Sequence, residues 1–197
     1  MFRTAVSICD ATPTDADSLV EVWGTPSERG HTTDAGSHAA QEVAAAVARI
    51  AADPDERLVV ARIEDRVVGA VHLKRAPLSP VHSDMAVYVM HLQVVHAFRR
   101  HGVGRALMEA SVRWAEEKDT EHVIAAAAVA SRDANRFMAR LGLQQIAVLR
   151  GATVPSLRAK LLLEPPAAAR VGARSHRNVG QVLAMRRSQR RSQDRTS

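Results

Sequence analysis

Seven consecutive residues, Arg99-Arg100-His101-Gly102-Val103-Gly104-Arg105, set two glycines among three arginines and a histidine, directly ahead of an amphipathic run that continues to Lys118. A glycine-rich turn opening a helix is the arrangement by which backbone amides cradle phosphate. Gly102 and Gly104 remove the Cβ that would hold an anion away from the backbone. The arginines stand at the positive end of the helix dipole and repel it unless an anion lies between them. The spacing is not GxGxxG and no GK[ST] follows, so neither a dinucleotide fingerprint nor a Walker loop is present. A solvated surface turn uses the same residue types, and the surroundings must decide. Upstream, Tyr88 and His91 are the titratable side chains inside the apolar run "MAVYVMHLQVV". His91 has the better intrinsic pKa for moving a proton near neutrality. A regular strand sets these two on opposite faces unless a bulge intervenes.

Such a turn needs a strand before it and a helix after it, and the sequence offers both. The run 83–95 reads as a strand. In the helix that follows, Val103, Leu107, Ala110, Ser111 and Trp114 share one face, which buries it against a sheet. Around this unit, 5–9 reads as a short strand. "TPTDADSLVEVWG" reads as a helix with Thr12 or Thr14 as N-cap and Gly24 as stop, and 39–53 as a helix ended by Pro54. Residues 57–76 form a hairpin around Glu64-Asp65-Arg66. The alanine-rich run 121–130 reads as a buried strand, 131–142 as a helix capped by Ser131 and closed by Gly142, and 143–150 as a further strand. Residues 154–163 fit either a strand or a short helix with Pro155 at its first position.

The 197 residues suit one domain with an appendage, and the single cysteine, Cys9, excludes an intrachain disulfide and a zinc-type cysteine cluster. No metal site is expected, and a reducing cytoplasm is the simplest setting. No leader-like start and no run of about 18 apolar residues is present, so no membrane segment is expected. The net charge of +6 is unevenly placed: residues 165–197 hold eight arginines against Asp194, which leaves 1–164 at net −1. That tail, with Val179, Leu183 and Arg186 on one weak helical face, reads as partly disordered or weakly helical. Without interleaved aromatics, its arginines imply electrostatic contact with nucleic acid, a ribosome or an acidic protein rather than base stacking. Packing of the tail's weak helix against the domain or against a second subunit, as in a homodimer, is the other use for it.

Arg99 to Gly104 fits the Q/R-x-x-G-x-G/A motif of the GNAT family of N-acetyltransferases. "LQVVHAFRRHGVGRAL" resembles that family's L-x-V-x-P-x-x-R-G-x-G-I-G-x-x-L, and "ANRFMARLGL" resembles its A-x-x-F-Y-x-x-L-G-F. The two motifs stand at the family's separation, and the element order from 5 to about 150 is similar to its pattern. The resemblance implies an α/β (α+β) fold over 1–164: a mixed, mostly antiparallel central sheet flanked by helices, with a splayed strand pair for acyl-CoA.

By the same resemblance, Arg99, Arg100, His101, Gly102, Val103, Gly104 and Arg105 would hold the pyrophosphate of acetyl-CoA or another acyl-CoA. The backbone of Leu92 and Val94 would hold the pantetheine arm and thioester carbonyl, with the small alanines 125–128 leaving room, although simple close packing explains them equally well. The implied chemistry is direct attack of an amine on the thioester, with the Val94 amide as oxyanion donor. Tyr88 matches the family's frequent Glu base and His91 is the other titratable residue of the strand, although packing in a half-buried strand also explains each. Ser131 stands where an Asn often meets the cofactor arm, a place that helix capping also explains. Met138 replaces the Tyr that protonates the leaving thiolate, and methionine cannot donate a proton. Three functions follow as expectations: an N-acetyltransferase for a small-molecule or protein amine, a catalytically poor acyl-CoA sensor, or a ribosome- or nucleic-acid-associated binder acting through the tail.

Overall fold

The structure, a computed structural model, describes residues 5–24, 33–81 and 83–163, with side chains from residue 38 in the second stretch. The elements run β1 (Ser7–Asp10), a 3-10 turn (Pro13–Asp15), α1 (Ala16–Trp23), α2 (Thr33–Ala51), β2 (Glu56–Ile63), β3 (Arg66–Pro77), β4 (Met85–Val94), a second 3-10 turn (His96–Phe98), α3 (Val103–Glu117), β5 (His122–Ala125), α4 (Arg132–Arg140) and α5 (Val154–Leu163). Residues Met1–Gln145 form one compact unit; Ile146–Ser197 form a second, whose described helix is α5. Sequence expectations for 165–197 lie outside the described residues.

One five-stranded sheet in the order β1-β2-β3-β4-β5 organises the first unit. Neighbours from β1 to β4 pair antiparallel, and β5 joins β4 in parallel. The mixed α/β architecture implied by the sequence is therefore present. Alternating apolar residues supply two cores, one on each face. Val59, Val71, Leu73, Val87 and Val89 meet Val103, Leu107 and Trp114 of α3. Leu58, Val60, Val67 and Ala70 meet Leu19 and Val22 of α1 and Val47 and Ile50 of α2. Burial of each such Val or Leu contributes about 1.5–3 kcal/mol, so α3 is fixed to the sheet by its face and not by its polar start.

Polar contacts pin the edges. Arg62 of β2 donates to the buried carboxylate of Asp15, which also accepts from the Thr12 N–H at 2.9 Å. Burial alone would raise the Asp15 pKa; the Thr12 amide, the Arg62 guanidinium and the Thr12 hydroxyl outweigh it and hold it low. Glu56 accepts from Lys74 at 2.7 Å and lies 3.1 Å from His72 Nε2. The Lys74 ammonium, and then His72, lower its pKa against burial.

Several elements differ from the sequence reading. The first helix begins as a 3-10 turn capped at Thr12, and α2 starts at Thr33 rather than 39. The hairpin closes through a two-residue loop, Glu64 (φ 50°) and Asp65 (φ 62°), which is the positive-φ pair of a type I′ turn, and Arg66 already belongs to β3. Residues 154–163 are helical. The strand expected at 121–130 is only His122–Ala125, and its pairing with β4 ends at Val89. The strand expected at 143–150 is absent: residues 144–150 are exposed and make no ladder, with Ile146 74% and Leu149 87% exposed. β-branched content alone does not make a strand without an edge to pair with.

Candidate functional site

The ladder between β4 and β5 ends early. Val89 pairs with Ala125, the Ala126 N–H donates to the Val89 carbonyl at 3.0 Å, and β4 then continues to Val94 with no β5 residue opposite. Beyond that point β3 is the only strand paired with β4 among the described residues, so the ladder leaves a gap between β4 and the loop that follows β5.

A bulge in β4 sets which groups face this gap. Ala70 pairs with Gln93 and His72 with Met90, so His91 and Leu92 together oppose Val71. His91 has φ 53°, a left-handed conformation costing a non-glycine residue about 1–2 kcal/mol. The indole Nε1–H of Trp23, at the end of α1, donates to the His91 carbonyl at 2.8 Å. The extra residue resets the alternation: Val87 and Val89 face the α3 core, and after the bulge Leu92 and Val94 do so. It resets the backbone too. Val89 turns its carbonyl toward β5, while the Val95 N–H bonds Val68 on the β3 side. Alternation back from Val95 therefore turns the N–H and C=O groups of Leu92 and Val94 to the open side.

The gap leads to the start of α3. After the 3-10 turn, Arg100 (φ 66°) and Gly102 (φ 84°) fold the chain tightly, and only glycine accepts the second position without strain. No side chain caps the helix; its first bond runs from the Ala106 N–H to the Gly102 carbonyl. The amides of Val103, Gly104 and Arg105 are thus left without helical partners and point out of the positive helix end. A Cβ on Gly104 would stand 3.5 Å from the Phe137 ring of α4, an ordinary van der Waals contact that leaves the packing of α4 on the first turn intact.

The basic side chains do not converge as a single cluster. Arg105 is drawn back along α3 to Glu109 at 2.9 Å, and Arg99 Nε donates to the Val94 carbonyl at 3.4 Å. His101 Nδ1 lies 2.9 Å from the Arg99 carbonyl, and its ring meets Phe98 edge-on at 6.4 Å. The guanidinium of Arg66, bonded to Glu21 of α1, lies 5.6 Å from the Phe98 ring centroid. Among the described residues, the Arg100 guanidinium has no hydrogen bond or ion pair.

Of the proton-transfer candidates, the Tyr88 hydroxyl donates to the Pro77 carbonyl at 3.2 Å, and His91 is exposed at the bulge. The bulge removes the reason for assigning them to opposite faces. Ser131 Oγ accepts from the Ala134 N–H at 3.4 Å and is an N-cap. Met138 is half-buried on α4. Two residues escaped the sequence reading: Trp23, whose indole N–H bonds the carbonyl at the bulge, and Asn135, whose amide donates to Ser131 O at 2.7 Å and Ala128 O at 3.0 Å and so ties down the loop after β5. Asn135 is one turn after the Ser131 cap and had a local signal; Trp23 had none, being 68 positions from His91.

The profile of the acetyltransferase (GNAT) family matches residues 21–143. Solved structures with a similar fold include a transcriptional regulator from Bacillus halodurans C-125, 19% identical over 76% of this chain and 100% of that chain, with a TM-score of 0.63. Glucosamine-6-phosphate N-acetyltransferase from Arabidopsis thaliana is 14% identical over 76% of this chain and 99% of its own, with a TM-score of 0.62. Aminoglycoside N-acetyltransferase AAC(6')-Iy in complex with CoA is 16% identical over 76% and 94%, with a TM-score of 0.58. Likeness at these identities is likeness of fold. No curated protein matches the sequence. No described helix is long and apolar enough to cross a membrane, and the described residues hold no cluster of metal-ligating side chains.

Proposed function

The chain belongs to the acetyltransferase (GNAT) family, and on that premise we propose that it is an N-acyltransferase moving an acetyl group from acetyl-CoA to an amine by direct attack. The observation that carries this reading is the continuity of the open β4 edge at Leu92 and Val94 with the uncapped amides of Val103, Gly104 and Arg105. An acyl-CoA fits that path: amide-rich strand edge for its arm, positive helix start for its phosphates. When bound, it supplies an activated thioester carbonyl and a thiolate leaving group.

The chain's own contribution follows from the geometry. Leu92 and Val94 offer amides at the open edge, and the Val94 amide is the proposed donor to the oxygen on which negative charge develops. Gly102 shapes the cradle, and Arg100 has a guanidinium free to meet a phosphate. An attacking amine must be neutral, and a free lysine has a pKa near 10.4, so a base must take its proton. His91, exposed at the bulge, is the stronger candidate, because the Tyr88 hydroxyl is already spent on Pro77.

Met138 favours a second reading, an acyl-CoA-binding regulatory module, because a thioether cannot return a proton to the thiolate. The two separate in one experiment. Calorimetry with acetyl-CoA, followed by thiol release against a panel of amines, should show binding and then turnover. Absence of binding overturns both readings; binding without thiol release from any amine leaves the regulatory module.

A further inference from the structure

We propose that Trp23 is a positioning residue for the thioester end of the site: its indole N–H fixes the His91 carbonyl, and through it the strand bulge that turns Leu92 and Val94 toward the gap. The proposal rests on the acyl-CoA reading above and extends it to α1, which packs in the core cluster on the other face of the sheet from α3.

The bulge has an internal cost and an external support. His91 stands at φ 53° although it carries a Cβ, a conformation that persists only where neighbouring structure enforces it. On the β3 side, the register on both flanks is ordinary, His72 with Met90 and Ala70 with Gln93, and it leaves His91 as the surplus residue. The contact that fixes its carbonyl comes from another layer. Trp23 is half-buried, packs against the α1–α2 core, and donates to that carbonyl at 2.8 Å. The donor is thus anchored by apolar burial, and its aim is set by the position of α1 on the sheet. Without it the carbonyl is free to turn, and β4 can revert toward the regular alternation that sends the backbone groups of His91 and Gln93, not those of Leu92 and Val94, to the open edge.

The phosphate end does not depend on this bond. The turn from His96 to Gly102 is held by its own short-range contacts, Phe98 N–H to Val95 O at 2.9 Å and His101 to Arg99 O at 2.9 Å. Loss of the indole N–H should therefore weaken recognition of the acyl carbonyl and leave recognition of the CoA body in place.

The test compares acetyl-CoA with CoA, which lacks the acyl carbonyl, by calorimetry on the full chain. Wild type should bind acetyl-CoA more tightly than CoA. Trp23→Phe keeps the ring and removes the N–H; it should lose about five- to tenfold in acetyl-CoA affinity, the worth of one hydrogen bond, with CoA affinity unchanged. The double variant Trp23→Phe/His91→Gly should regain the preference, because glycine holds a positive φ unaided. A role for Trp23 in packing alone would lower both affinities together and gain nothing from glycine at 91. An unchanged acetyl-CoA:CoA ratio in Trp23→Phe overturns the proposal while leaving the acyl-CoA reading intact, as does equal binding of the two ligands by wild type. Wild type that binds neither ligand overturns the acyl-CoA reading itself. If Trp23→Phe does not fold, Trp23 replaced biosynthetically by a benzothienyl analogue, which lacks the N–H at nearly the same volume, gives the same comparison.

Discussion

The turn at 99–105 and the bulge at His91 sit within one short stretch of chain, yet they are held in place by different kinds of interaction. The turn is local. Its glycine stands where φ is 84°, its ring contacts join Phe98 to His101, and its ion pair joins Arg105 to Glu109 one turn on. The bulge is not local. A histidine occupies its left-handed position, β3 sets its register, and Trp23, 68 positions earlier, holds its carbonyl. Gly102 takes one of the turn's two left-handed positions without strain and Arg100 (φ 66°) takes the other at a cost, whereas the bulge's one such position falls on His91 and is enforced from other parts of the fold. Under the proposed acyl-CoA assignment, the thioester end can be lost without the phosphate end.

The largest expected effect strikes the phosphate end. Gly104→Glu puts a carboxylate on the first turn of α3, beside the amides assigned to phosphate. Its Cβ meets the Phe137 ring at 3.5 Å, an ordinary contact, so the fold should survive. Calorimetry should then show acetyl-CoA and CoA weakened together by at least about 100-fold, or about 2.8 kcal/mol. Normal binding by Gly104→Glu would place the phosphate elsewhere and dissolve the contrast between the two ends.

The same contrast explains how much could be read in advance. Gly102, Gly104 and the amphipathic face from Val103 to Trp114 are adjacent in sequence, and the turn, helix and sheet face they implied are present. The strands up to β4 were legible because each carries its own short alternation, β-branched run or apolar run. The bulge was not, since nothing in "VMHLQV" marks His91 as surplus; the surplus exists only against Val71 across the ladder. For the same reason β5 was read too long. The alanines from 126 on have no strand signal of their own, and where pairing stops is set by the partner edge, which is last paired at Val89. The expected strand at 143–150 failed on the same ground, having composition but no partner edge. Arginine positions were legible while their directions were not, because Glu109 and the Val94 carbonyl claim two of the three.

A smaller effect tests the frame beneath both ends. Asp15 and Glu56 have folded pKa values held below the ordinary carboxylate range of about 3.9–4.3, by the Thr12 amide and Arg62 and by Lys74 and His72 respectively. A carboxyl that is a stronger acid folded than unfolded stabilises the fold fully above its unfolded pKa and ceases to as pH falls through its folded value. Urea midpoints should therefore be flat near neutrality and fall below about pH 4. Asp15→Asn should lower stability at pH 7 by about 1–3 kcal/mol, the cost of a weakened buried bond to Arg62, and should make the acid decline shallower. It touches neither end, so its acetyl-CoA:CoA ratio should equal wild type; a changed ratio would mean the two ends are not independent of the sheet edge.

Two single substitutions should then move stability in opposite directions. Gly102→Ala meets no atom within 4 Å but must hold φ 84°, so it should cost about 1 kcal/mol through the backbone alone. His91→Gly relieves a comparable strain, less about 0.4–1 kcal/mol for added freedom of the unfolded chain, and should come out neutral to slightly stabilising in chemical denaturation. A destabilised His91→Gly would show that the His91 ring, and not only its carbonyl, is held in the fold.

The smallest effect concerns the remaining positive charge. Residues 165–197 carry eight arginines against one acid, and CoA is a polyanion, so attraction between them is the natural rival to the cradle as a source of affinity. At 0.15 M salt, exposed charges more than about 8 Å apart are largely screened, whereas amides in contact with a phosphate are not. Deleting 165–197 should therefore leave acetyl-CoA affinity within about twofold at 0.15 M salt, with a somewhat larger loss at 0.01 M, where the screening length grows to about 30 Å. A tenfold loss at 0.15 M would make the tail part of the phosphate end, and that end would no longer be a local structure.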